Sequence, residues 1–72
     1  MNTHTTIRIE LNGASRDVRV GATVAEVVAD LGLRPEVVAV EVNRTLVKRS
    51  EREGRALTDG DAVEVVTLVG GG

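Results

Sequence analysis

The residues best suited to chemistry are the last three, Gly70-Gly71-Gly72, which follow the β-forming run Val65-Val66-Thr67-Leu68-Val69. Glycine averages about 7% of residues, so three in a row at a chosen end arise in about 3 of 10,000 unrelated chains. One reading is a frayed end or a linker remnant, because termini concentrate disorder and tolerance to change. The other makes the carboxylate of Gly72 the working group, with Gly70 and Gly71 as its reach. Residues without side chains pass through a narrow channel and take backbone angles closed to other residues. They also leave the terminal carbonyl carbon unhindered for attack. The other residues must then form a compact holder for residues 69–72, which are expected to be a flexible tail on a single domain spanning 1–72.

Composition narrows what such a holder can be. Seventy-two residues make one small domain. Hydrophobic residues are 42% of the chain, yet Phe, Tyr and Trp are absent. The core must therefore be Val, Leu, Ile and Ala, and its valine content favours strands. A chain this short has no room for a buried catalytic cleft with supporting residues around it, which favours a carrier, a binding module or a partner subunit over an enzyme. Without cysteine there is no disulfide, thiolate metal site or cysteine nucleophile. His4 stands alone in a polar start, with no second ligand or base at a useful spacing, so no metal and no resident catalytic residue is expected. A net charge of −2 and no aromatic residue for base stacking argue against nucleic acid. No apolar stretch is long enough to span a membrane and no signal-peptide pattern is present, so the expected location is cytoplasmic.

Charge is unevenly spread. Residues 44–55 carry five cations (Arg44, Lys48, Arg49, Arg52, Arg55) against Glu51 and Glu53. A charged run is most often a solvated face. The alternative is a docking patch for a protein partner, with Arg49 and Arg52 as its candidate contacts.

The elements that hold the tail can be read in order. Ile7-Arg8-Ile9-Glu10-Leu11 alternates apolar and polar with period two, as a strand with one buried face does. Asn12-Gly13 is a strong tight-turn signal, and Val18 and Val20 then alternate with Asp17 and Arg19, completing a hairpin. Thr23 and Glu26 form a capping box. Val24, Val27, Val28 and Leu31 fall on one helical face, and Gly32 supplies the left-handed stop. Pro35 blocks continuation of the helix. Val38-Ala39-Val40-Glu41-Val42 predicts a third strand, and Asn43-Arg44 a turn into a brief edge strand at Leu46-Val47. Ser50 to Glu53 reads as a second capping box closed by Gly54. Leu57 is expected to tuck into the core, and Asp59-Gly60-Asp61 turns the chain into a last strand, residues 62–69. In that strand Val63 and Val65 share a face, while Val66 and Leu68 share the other. Either both faces are covered at the sheet centre, or Val66, Leu68 and Val69 form an apolar patch that contacts a partner.

The order hairpin, helix, strand, short edge strand and final strand resembles the ubiquitin-like β-grasp fold. The resemblance implies an α+β domain with a mixed sheet of four to five strands, one main helix across one face, and the first and last strands parallel at its centre. Leu11-Asn12-Gly13, Val40-Glu41-Val42-Asn43, Val47-Lys48-Arg49-Ser50, residues 59–66 (Asp59-Gly60-Asp61-Ala62-Val63-Glu64-Val65-Val66) and Val69-Gly70-Gly71-Gly72 are similar to the ThiS family, the sulfur carriers of thiamine biosynthesis. Arg44 and Lys48 depart from the glycine and proline common at those positions of the family.

The resemblance implies a carrier with no bound cofactor. An E1-like adenylyltransferase (ThiF- or MoeB-like) would spend ATP to activate the Gly72 carboxylate, a sulfur donor protein would supply sulfur to give a thiocarboxylate, and a thiazole synthase (ThiG-like) would take that sulfur up. A carboxylate is a poor acyl donor until an oxygen becomes a leaving group, and ATP supplies one. Three extended residues reach about 10 Å beyond Val69, enough to enter a partner's buried site. Two alternatives share the tail: a MoaD-like small subunit of molybdopterin synthase, and a ubiquitin-like protein modifier.

Overall fold

The computed structural model describes residues 5–68. Two strands, β1 (Thr6–Leu11) and β2 (Ala14–Arg19), are followed by helix α1 (Val24–Asp30) and a 3₁₀ turn at Pro35–Val37. Strand β3 (Val38–Val42), the two-residue β4 (Thr45–Leu46), a second 3₁₀ turn at Arg49–Glu51 and β5 (Ala62–Thr67) complete the fold. The five strands form one mixed sheet in the order β2-β1-β5-β3-β4. The first and last strands, β1 and β5, are parallel neighbours, with Leu11 opposite Val63; the other pairings are antiparallel. This is the α+β arrangement that the resemblance implies, with all five strands present.

Local chemistry sets each element. Asn12 (φ 50°) and Gly13 (φ 85°) make the positive-φ pair that matches the twist of a tight hairpin. At the start of α1 the Glu26 N–H donates to Thr23 Oγ1 at 3.3 Å, and Glu26 Oε1 accepts from the Thr23 N–H at 2.9 Å. Gly32, at φ 75°, ends the helix: its N–H donates to Ala29 O at 2.9 Å and that of Leu33 to Val28 O at 3.4 Å. That pair of bonds uses carbonyls the helix would otherwise leave open.

One face of the sheet packs on α1. The most completely buried side chains are Ile9, Val24, Val27, Val28, Val40 and Val63, each worth roughly 1.5–3 kcal/mol on leaving water. Leu57 tucks under the helix start at 4% exposure, its N–H donating to Ala22 O at 2.9 Å. Two local expectations shift. Val20 is exposed, because β2 ends at Arg19 and Gly21 (φ 88°) turns the chain toward α1. The capping box expected at Ser50 and Glu53 does not form. The turn begins two residues earlier, where Glu51 Oε1 accepts from the Lys48 N–H at 3.2 Å.

Candidate functional site

The expected working group, Gly72, lies outside the described residues, as do Gly70, Gly71 and Val69. The structure therefore defines the base from which they extend: the strand β5, its neighbours, and the face it presents.

Strand β5 is central and strongly held at its beginning. Asn43 and Arg44 both have positive φ, at 51° and 69°, forming a second tight turn beside the start of β5. The Asn43 carboxamide accepts from the Ala62 N–H at 2.9 Å and donates to the Asp61 carboxylate at 2.9 Å. Asp61 is buried, and Oδ2 also accepts from the Thr58 N–H at 2.8 Å. Burial pushes its carboxyl pKa up, but hydrogen bonds from Thr58 and Asn43, with Arg55 nearby, outweigh that and hold it below the usual carboxylate value. Farther along, β1 ends and Asn12 continues its pairing. The Asn12 N–H donates to Val63 O at 2.9 Å, Oδ1 accepts from the Val65 N–H at 2.8 Å, and Nδ2 donates to Val65 O at 3.2 Å. A side-chain amide thus stands in for one more strand residue.

The side chains of β5 alternate regularly. Val63 and Val65 point into the core; Glu64, Val66 and Leu68 point to the opposite, open face. Val66 and Leu68 are 56% and 55% exposed, which decides between the two readings of these residues: the described residues do not cover them. Ala39 lies opposite Val66 across β3. Beside this apolar patch, Glu41 and Glu64 occupy directly opposed positions of β3 and β5. Like charges so placed repel. The ion pairs among the described residues join Arg8 to Asp17, Arg19 to Glu26 and Arg55 to Asp61, so neither glutamate is compensated.

The basic segment divides. Arg49 is exposed at the rim of a groove also lined by Ala25, Val28, Pro35 and Ser50. Arg52, expected as a docking contact, is instead buried at 6% exposure. Its guanidinium donates to Pro35 O at 2.9 Å and Val38 O at 2.8 Å, tying the second 3₁₀ turn to the start of β3. Those carbonyls and the surrounding packing use the charge internally, so Arg52 is removed from the docking surface. Its burial and the clamp from Asn12 were both missed in the sequence. The turn signal at Asn12-Gly13 was visible, but a bond to a residue 53 positions away has no local pattern.

Among the described residues no group of three or more His, Asp or Glu is arranged to hold a metal. None of their helices is long and apolar enough to cross a membrane.

Known proteins share both sequence and shape. The model of the ThiS family matches residues 9–72, through the three glycines. The sulfur carrier protein ThiS of Thermus thermophilus is 42% identical over 62 residues, covering 86% of this chain and 95% of that one. Two thiazole synthases, from Magnetococcus marinus and Paramagnetospirillum magneticum, are 38% and 35% identical over 66 residues. Those matches take in 92% of this chain, which spans only 20% of the length of either synthase. The crystal structure of a thiamine biosynthesis protein (ThiS) from Geobacter metallireducens superposes with a TM-score of 0.78 at 30% identity, covering 92% of this chain and all of that one. A computationally designed protein based on human erythrocytic ubiquitin matches at a TM-score of 0.57 and 24% identity, over 94% and 96% of the two chains, which shows the shared ubiquitin-like fold.

Proposed function

The chain belongs to the ThiS family, and on that premise we propose that it is a cytoplasmic sulfur carrier of thiamine biosynthesis whose working group is the carboxylate of Gly72. The observation that carries this reading is the extent of the family match: it runs over the folded domain and on through Gly70-Gly71-Gly72. The reading requires Gly72 to carry a free carboxylate.

In the proposed cycle an E1-like adenylating enzyme joins the Gly72 carboxylate to the α-phosphate of ATP and releases pyrophosphate. A nucleophilic sulfur carried by a donor protein attacks the acyl carbon and AMP leaves; the bond between that sulfur and the donor is then cleaved, by a thiol reductant where the donor carries it as a persulfide, and a thiocarboxylate remains. A thiazole synthase then takes the sulfur, a partnership supported by the thiazole synthases among the relatives. The catalytic groups belong to the partners. This chain contributes a rigid base, an exposed apolar patch at Val66 and Leu68, and a tail without side chains. The exposed cation Arg49 is a further proposed contact, one that would steer docking.

Removing Gly71 and Gly72 tests the site directly. The truncated protein should fold as before, with an unchanged melting temperature, and should accept no sulfur from ATP, the adenylating enzyme and the donor. Sulfur on the truncated chain would move the site elsewhere.

A further inference from the structure

The groove between α1 and the second 3₁₀ turn has a volume of about 600 Å³ and lies on the helix side of the sheet, away from Val66 and Leu68. Its lining is apolar at Ala25, Val28 and Pro35 and carries three charged residues, Arg49, Arg52 and Glu53. Arg52 is the unusual member, a guanidinium at 6% exposure. Pro35 O and Val38 O accept from Nη1 and Nη2 at 2.9 and 2.8 Å, but the Nε–H finds no acceptor among the described residues. An enclosed donor without an acceptor is costly, the more so on a charged group. The two carbonyls hold the guanidinium and do not neutralise it. Among the described residues neither Arg49 nor Arg52 is in an ion pair, and Glu53 joins none either. The first amides of α1 are already used: the Val24 N–H donates to Arg55 O at 3.0 Å and that of Ala25 to Arg52 O at 3.1 Å. The open binding capacity of the groove is therefore that of its arginines.

We infer that this groove binds a small aliphatic carboxylate. Two cations against one glutamate leave its lining a net charge of +1, which matches a monoanion better than a doubly charged phosphate. The apolar walls favour a ligand with a hydrocarbon body, which inorganic anions lack. The chain has no aromatic side chain to stack on a ring, so that body is aliphatic. A carboxylate oxygen supplies the acceptor that the Arg52 Nε–H lacks, in a charge-assisted bond to a guanidinium. The Nε–H is enclosed, so the ligand reaches it as the long exposed side chains of Arg49 and Glu53 give way. Arg49 then adds attraction from the rim. The site does not depend on Gly72 or on the carrier reading.

Isobutyrate is the probe, added to the full chain while the arginine Nε–Hε signals are followed by two-dimensional NMR. The Arg52 signal should shift saturably, with half-saturation at about 1–10 mM, the affinity expected of so small a ligand. Isobutyramide has the same shape without the charge and should leave the signal in place, as should sodium chloride at matched ionic strength. Inorganic phosphate should bind roughly tenfold more weakly, because it has no hydrocarbon to bury. Arg49→Gln, at an exposed position, should weaken isobutyrate about threefold. Arg52→Lys keeps the charge, removes the Nε–H and should abolish binding; if that variant fails to fold, the Arg52 signal of the parent protein decides. No saturable shift up to about 50 mM, well past the millimolar range, overturns the inference. Equal responses to isobutyrate and isobutyramide would remove the role of charge, and equal responses to isobutyrate and sodium chloride would reduce the effect to screening; either contradicts a carboxylate site. Phosphate binding as tightly as isobutyrate would make this a general anion site, against the proposal. Saturation seen only in a chain lacking Gly71 and Gly72 would give the groove to the chain's own terminus, which also overturns it.

Discussion

Ala62 to Val65 and Val66 to Leu68 are consecutive stretches of one strand, yet they are held in opposite ways. The first is bonded on both edges, by Asn43 and β3 on one side and by β1 and Asn12 on the other, and it buries Val63 and Val65. Among the described residues the second is bonded on one edge only, and it exposes Val66, Thr67 and Leu68. Both are made of β-forming residues, so intrinsic propensity does not separate them. The neighbours do. A carrier needs a fixed base and an accessible end, and here the boundary between the two falls at the Asn12 clamp.

The contrast is broken most forcefully from the inside. Val63→Ala should cost about 2–3 kcal/mol by leaving a cavity, read as a lower denaturant midpoint at constant slope. Val66→Ala should stay within about 0.5 kcal/mol, while Val66→Asp or Leu68→Asp weakens partner binding more than it weakens folding. Equal stability losses at Val63 and Val66 would erase the distinction.

The two arginines sharpen it next. Arg52→Ala should cost about 1.5–3 kcal/mol, because two charge-assisted bonds to Pro35 and Val38 carbonyls disappear. Arg49→Ala should leave stability within about 0.5 kcal/mol, and Arg49→Glu should slow association in a salt-dependent manner. A salt-independent rate would return Arg49 to an ordinary solvated residue.

Acid should loosen the base of β5 through Asp61. Its native pKa is lowered, so its contribution is complete well above the unfolded value of about 3.9 and is lost as the pH falls through the lower native value. Urea midpoints measured down the acid range should fall less steeply for Asp61→Asn than for the parent. The smallest expected effect is a gain. Arg44 holds φ 69° with a side chain, so Arg44→Gly should raise stability by about 1 kcal/mol, visible as a higher melting temperature. No change there would mean the turn relieves its strain locally.

Much of this scaffold was legible in the sequence because its signals are local. The Asn12-Gly13 turn, the Thr23/Glu26 box and the Gly32 stop each act within a few residues, and each forms as read. The segment around Arg52 was not legible for the opposite reason. Its burial is created by carbonyls 17 and 14 residues away, and counting charges treats it like Arg49. The second capping box slipped because a 3₁₀ turn at Arg49–Glu51 places Glu51, not Glu53, within reach of a free N–H. Val63 and Val65 on one face and Val66 and Leu68 on the other left the choice between a covered and an open second face to the structure, because both faces are apolar at that point. The strand itself keeps period two.

The central claim is that the carboxylate at the end of this strand carries sulfur. Intact-mass spectrometry of the full chain after incubation with ATP, the E1-like enzyme and a sulfur donor tests it most directly. The account predicts a gain of about 16 Da, one oxygen replaced by sulfur, confined to the terminal peptide. An unchanged mass with an adenylating enzyme that demonstrably binds the chain, or a gain located elsewhere, would contradict it.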